Sequence, residues 1–161
     1  MPKVSSLGHV GLFVSDLAKM RDFYTRVLGM TVTDESAERQ MCFLSARPGE
    51  EHHEMFLTVG RDAEDVKIVQ QVSFHVDSIE ELREFHHTFK AEGVEIDSVV
   101  SHGNTASIYF RDPDRNRLEV YYSIPVAWPQ PFRVAIDIEQ SDEAVLQQIH
   151  DATYGAAANV K

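Results

Sequence analysis

The stretch "SHGNTASIYFRDPDRNRLEVYY", residues 101–122, sets an imidazole, a phenol and a carboxylate close together in otherwise apolar sequence. His102, Tyr109 and Glu119 are of types that bind metal ions, hold hydroxyl oxygens and move protons near neutral pH. Local signals place them. Ser107–Arg111 and Arg117–Tyr122 read as two strands joined by the turn "DPDRN". Alternation puts Leu118, Val120 and Tyr122 on one face, with Glu119 and Tyr121 on the other. For a lone glutamate, an edge strand whose polar face meets water is the more ordinary account. What else the chain places on that face decides between the two.

A weak internal repeat supplies the positioning elements. In "HVGLFVSDLAKMRDFYTRVLGMTV", Val10, Leu12 and Val14 alternate, and Leu17, Met20, Phe23, Tyr24, Val27 and Leu28 follow at helical spacing, with Gly29 as a cap. In "QVSFHVDSIEELREFHHTFKAEGVEI", Val72, Phe74 and Val76 alternate. Ser78 and Glu81 then form a capping box, Ile79, Leu82, Phe85 and Phe89 make a stripe, and Gly93 ends the helix. Aligning Val14 with Val76 matches Leu17 to Ile79, Met20 to Leu82 and Phe23 to Phe85 without a gap. Three strands follow each helix, at residues 30–35, 39–46 and 53–59, then at 94–101, 105–111 and 117–122. The expected architecture is an α+β domain of two βαβββ units, at residues 6–60 and 68–123 within a domain spanning 1–125. Residues 126–161 form an extended C-terminal segment with a short helix capped by Ser141. There Trp128 and Phe132 pack the tail onto the domain or onto a second subunit.

With the apolar sets packed on the helices, the opposite face carries His9, Gly11 and Phe13 in one unit and Gln71, Ser73 and His75 in the other. Glu119, Tyr121 and Tyr109 join them. A solvated face would show more Lys, Glu and Thr. The helix residues His86 and His87 and the tail residue His150 read as surface positions.

Composition narrows the classes. A chain of 161 residues with 43% hydrophobic and 25% charged residues is ordinary globular material. A net charge of −11 argues against nucleic acid and against anionic membrane surfaces. The single Cys42 excludes an intrachain disulfide and a thiolate-rich metal site. The opening "MPKVSSLGHVGLFV" lacks a signal-peptide plan, and no run reaches about 18 apolar residues, so a cytoplasmic protein is expected.

These residues resemble the vicinal oxygen chelate superfamily, over about residues 6–123. "RDPDRNRLEVYY" is similar to the ending DPDGN-x-x-E that places the last metal ligand, here Glu119, and "LGHVGLFVSDL" resembles the strand supplying the first, His9. A narrower resemblance is to one-domain type I extradiol dioxygenases, on His102, Ile108, Tyr109, Asp112-Pro113 and Glu119, with His52 and His53 echoing a His-His pair. The resemblance implies an open, cupped mixed sheet around a metal and substrate cleft. It implies His9, Gln71 and Glu119 on a metal, Fe(II) first and Mn, Zn or Ni as alternatives. It also implies His53, His102 and Tyr109 as catalytic groups, His75 and Tyr121 on substrate, and a small aromatic diol and O₂ as reactants. A homodimer is compatible with it. Two imidazoles and a carboxylate on Fe(II) leave positions open for a chelating diol and O₂.

Two positions depart from the pattern. Arg115 stands where the turn usually has Gly, so Arg115 or Asn116 takes the unusual backbone, which Asn tolerates better. Gln71 stands where the dioxygenases have a ligand His, and His75 lies about 13 Å further along the strand. Alternation favours Glu54 on the site's face and the resemblance favours His53. A glyoxalase-like lyase, isomerase or epimerase would use His9, Glu54, Gln71 and Glu119, and a metal-free protein binding an aromatic compound is the other alternative.

Overall fold

Each half of the chain builds a sheet from short β-branched and aromatic runs, and one helix per half covers the apolar face. The computed structural model describes residues 7–62, 69–126, 128 and 132–157. The opening residues 1–6 and positions 127 and 129–131 of the Pro-rich stretch lie outside these. The chain divides into two units, residues 1–67 and 68–161.

In the first unit β1 (Val10–Val14) leads into α1 (Leu17–Asp22), and β2 (Thr31–Ser36), β3 (Met41–Ser45) and β4 (Met55–Val59) follow. Asp16 caps α1 by accepting from the Lys19 N–H. The expected continuous helix is interrupted. Phe23–Val27 form a π turn, with the Leu28 N–H donating to the Phe23 carbonyl five residues back. The wider turn lets the consecutive residues Phe23 and Tyr24 both be buried, together with Val27. Gly29 then takes φ +71°, the left-handed cap read from the sequence. The sheet runs β1-β4-β3-β2, with β1 parallel to β4. Leu12, Val14, Leu44, Met55 and Leu57 turn inward onto Met20 and the π turn. A Leu or Met buried this way contributes about 1.5–3 kcal/mol.

The second unit repeats the plan: β5 (Val72–Val76), α2 (Ile79–Ala91), β6 (Ile96–Ser101), β7 (Thr105–Arg111) and β8 (Arg117–Ser123). Ser78 accepts from the Glu81 N–H, while the Glu81 carboxylate reaches back one residue beyond the cap, to the Asp77 N–H. Ile79, Leu82 and Phe89 are buried, and Phe89 stacks on Phe110 with ring centres 4.3 Å apart. In the β7–β8 turn it is not Asn116, the more tolerant of the two candidates, that takes the left-handed backbone. Arg115 does, at φ 62°, because Asn116 is buried and its backbone and side-chain N–H groups both donate to Asp112 at 2.7 Å.

The C-terminal segment does more than extend. It adds β9 (Val134–Ala135) antiparallel to β6, making the order β5-β8-β7-β6-β9, and its helix α3 (Asp142–Ala157) is longer than the sequence signal suggested. Ile136, Ile138, Val145 and Ile149 are buried. Arg83 of α2 ties the segment down through the Ile138 carbonyl at 2.9 Å and Asp142 at 2.6 Å. His86 is therefore not a surface residue. It is 8% exposed and lies 2.8 Å from Glu139, which also meets His87 and Lys90. A segment distant in sequence covers it, which helical periodicity alone does not reveal.

Candidate functional site

In the second sheet the register aligns Ser73 with Glu119 and Glu119 with Tyr109, so one polar row crosses β5, β8 and β7. Glu119 is 7% exposed. Its Oε2 accepts from Ser73 Oγ at 2.5 Å and from Gln71 Nε2 at 3.0 Å. Tyr109 is buried beside it. Burial first, and then its hydrogen bond to the Glu119 carboxylate, push the phenol up to about 12, so it is a donor at neutral pH. Arg117 lies over the Tyr109 ring, 4.3 Å from its centre. His102 stands behind, with Nε2 3.0 Å from the Tyr109 hydroxyl and Nδ1 2.7 Å from the Phe132 carbonyl. Further along the sheet, half-exposed His75 meets the edge of Tyr121, with ring centres 5.2 Å apart.

The matching face of the first unit is aromatic. His9 precedes β1 and its ring centre lies 4.5 Å from that of His53, which abuts Phe43 at 4.9 Å. His52 and His53 approach Nδ1 to Nδ1 at 2.9 Å, so one nitrogen donates and the other accepts. Burial, with the neighbouring His9 and His52, holds His53 below its ordinary value and keeps it uncharged at neutral pH. Phe56 covers Gly11 so closely that a Cβ there would lie 2.3 Å from the ring.

The strand β4 begins at Met55, so alternation does not extend back to His53 and Glu54. His53 joins the His9 cluster. Glu54 turns to the β3–β4 loop, where it accepts from the Ala46 N–H at 2.8 Å and pairs with Arg47 at 2.9 Å. Burial raises the Glu54 carboxyl, but those donors outweigh it and hold it below its ordinary value. Register adds a second point. Val10 pairs with Met55 and Val72 with Leu118, so the repeat equates Glu119 with Phe56 rather than with Glu54.

Among the described residues no three His, Cys, Asp or Glu side chains converge as a ready-made cation site. The donor types of the expected set nevertheless fit a divalent ion. Glu119 is a buried carboxylate with only neutral donors on Oε2, and half a turn of the Gln71 amide presents Oε1 in place of Nε2. The first unit also has an open groove of about 720 Å³ beside Asp16, Arg21, Glu35 and Met41, at the end of β1 away from His9. None of the candidate residues lines it.

Motif reading missed Ser73 as a partner of Glu119 and missed Arg117. The first was within reach, since Ser73 shares the face of Gln71 by alternation. The stacking of Arg117 has no local sequence signal.

The two βαβββ units and the buried carboxylate near the start of β8 define an α+β protein of the glyoxalase fold. The chain belongs to the Glyoxalase/Bleomycin resistance protein/Dioxygenase superfamily, whose profile matches residues 6–120. It is 30% identical over 125 residues to biphenyl-2,3-diol 1,2-dioxygenase 2 of Rhodococcus globerulus. That match covers 74% of this chain and 64% of the relative, so the chain spans less than two thirds of that enzyme. The fosfomycin resistance protein of Listeria monocytogenes shares the fold at a TM-score of 0.61 and 23% identity, over 76% of this chain and 97% of that one. Lactoylglutathione lyase of Agrobacterium tumefaciens shares it at 0.59 and 21%, over 75% and 96%. Among the described residues no helix is long and apolar enough to cross a membrane.

Proposed function

We propose that the chain is a metal-dependent extradiol dioxygenase that cleaves a catechol-like vicinal diol with O₂. His9, Gln71 and Glu119 would hold the metal, Fe(II) by resemblance, with Mn, Zn or Ni as alternatives. The observation that carries the reading is the row Gln71–Ser73–Glu119–Tyr109–His102, which sets a buried carboxylate beside a phenol donor and an imidazole on one sheet face. When bound, the metal supplies a centre that a diol chelates and where O₂ is activated.

The chain's own groups supply the rest. Tyr109 keeps its hydrogen at neutral pH and donates it to an oxygen placed beside Glu119. His53, uncharged and partly desolvated, is suited to take a proton from a diol hydroxyl and return it to the opened product. His75 and Tyr121 offer an aromatic edge to the ring of the substrate. The similarity to a biphenyl-2,3-diol dioxygenase supports this substrate class.

Protein purified without oxygen, assayed with catechols for the yellow ring-fission product and analysed for metal, tests the proposal. One divalent metal per chain, lost in Glu119→Ala together with turnover, is the expected result. Metal-free protein that binds catechol without turning it over would replace the reading with that of a binding protein. That second reading also has support, because Gln71 and Ser73 already saturate one oxygen of Glu119. The lyase reading is weaker, since Glu54 is engaged by Arg47 and the repeat offers Phe56 at the position of Glu119.

A further inference from the structure

The two ring nitrogens of His102 face partners of different kinds. Nδ1 lies 2.7 Å from the Phe132 carbonyl oxygen, and Nε2 lies 3.0 Å from the Tyr109 hydroxyl. A carbonyl oxygen only accepts, so Nδ1 carries a hydrogen. In the uncharged ring Nε2 is then the lone-pair nitrogen, an acceptor within reach of the Tyr109 O–H. Free imidazole side chains in water favour the opposite tautomer, with the hydrogen on Nε2. The arrangement at His102 is imposed from outside the residue.

We propose that the C-terminal segment is a positioning element of the site: the Phe132 carbonyl locks His102 in its Nδ1–H tautomer and thereby makes Nε2 the acceptor facing Tyr109. Three features hold the carbonyl there. The ladder pairs Ser101 with Val134, which brings Phe132 alongside the β6–β7 turn that carries His102. Arg133 donates to Ser98 of β6 at 2.8 Å. Trp128 packs against Gly103, where a Cβ would sit 2.4 Å from the indole, and its ring stands at 74° to that of Phe132 with centres 5.6 Å apart. The turn itself is built to match. Ser101 Oγ accepts from the Gly103 N–H at 2.9 Å and donates to the Thr105 carbonyl at 2.6 Å, and Gly103 takes φ +85°. A side chain at 103 would strain the backbone and displace the indole together.

The consequence falls on Tyr109. The phenol has one hydrogen and stands between two acceptors, the Glu119 carboxylate and His102 Nε2. With the other tautomer His102 would donate to the phenol oxygen and leave the hydrogen to Glu119 alone. The locked tautomer instead gives Tyr109 a second place to send its hydrogen once Glu119 is otherwise engaged. What this does for catalysis rests on the ring-cleaving reading above, but the tautomer does not.

The test is a long-range ¹H–¹⁵N correlation spectrum of the full chain labelled at histidine, with His102 assigned by loss of its signals in His102→Gln. The unmodified chain should show His102 with Nδ1 protonated and Nε2 bare. Trp128→Ala and Val134→Pro, which loosen the segment from two sides, should shift that ring towards the Nε2–H form while the other histidines stay as they were. If the proline variant does not fold, Trp128→Ala decides. An Nε2–H ring in the unmodified chain, or an unchanged Nδ1–H ring in the folded variants, overturns the proposal. The two readings can fail separately: no ring cleavage with the Nδ1–H tautomer present removes only the enzymatic reading, and an active enzyme with an Nε2–H ring removes only this one.

Discussion

At Glu119 a carboxylate sits 7% exposed, and burying it without partners would cost several kcal/mol. Ser73, Gln71 and Tyr109 offset that cost with neutral donors, which leaves the charge in place for a cation or a substrate hydroxyl. Two substitutions separate these roles. Tyr109→Phe should keep any metal and lower turnover by about 10²-fold, the usual cost of one hydrogen bond made to the reacting oxygen; unchanged turnover on an accepted catechol removes Tyr109 from the chemistry. Gln71→His replaces an amide with an imidazole at the position the repeat equates with His9, so iron should bind more tightly and ring cleavage should rise. Weaker iron in a side-by-side titration would mean that Gln71 does not meet the metal or that the site is built for a different ion. Away from the row, Asn116→Ala should cost about 1–3 kcal/mol in urea unfolding, because it removes the side-chain donor to Oδ2 of the buried Asp112 and leaves the backbone N–H on Oδ1 in this turn. Motif spacing made Glu119, Tyr109 and His102 legible in the sequence. The burial of His86 was not, because the residue that meets it lies 53 positions away.

The βαβββ elements were readable because alternation, capping box and Gly caps all agree, and the two copies reinforce each other. The π turn at Phe23–Val27 was not, since an apolar stripe at helical spacing looks the same whether one turn is widened or not. Comparing the copies also exposes what each face is for. Where the second unit stacks Ser73, Glu119 and Tyr109 across three strands, the first stacks Gly11, Phe56 and Phe43. Glycine inside a strand ordinarily weakens it, and here it makes room for a ring. Gly11→Ala should therefore destabilise the protein by about 1–3 kcal/mol through the clash with Phe56. The double variant with Phe56→Leu should recover part of that loss, because the smaller side chain can turn aside. Additive losses in a double-mutant cycle of urea midpoints would show that the ring is not what keeps position 11 a glycine.

The chain carries a net charge of −11, yet the C-terminal segment is fastened by basic side chains gathered on one helix. His86, His87 and Lys90 of α2 meet the single carboxylate of Glu139, and Arg83 meets Asp142 beside it. Lys90 and His87 hold Glu139 down to about 2, against an ordinary 4.5. A carboxyl depressed in the folded state contributes stability above 4.5 and loses it as the pH falls through about 2. Burial outweighs the pull of Glu139 on His86 and lowers that imidazole below 6.5, so the fold favours its uncharged form. Its contribution is complete above 6.5 and is lost as the pH falls through the lower folded value. Both groups act in the same direction, and the grip on the segment should weaken steadily below pH 6.5. Trp128 is the only tryptophan and packs on Phe132 and Tyr154, so its fluorescence reports this segment directly. The thermal midpoint by that signal should fall on acidification in the parent chain. Glu139→Gln should start lower at neutral pH, keep the decline due to His86 and lose the further decline below 4.5. A Glu139→Gln curve that runs parallel to the parent across the whole range would mean that the segment is held by Ile136, Ile138 and the β9 ladder alone, with the charged cluster contributing nothing.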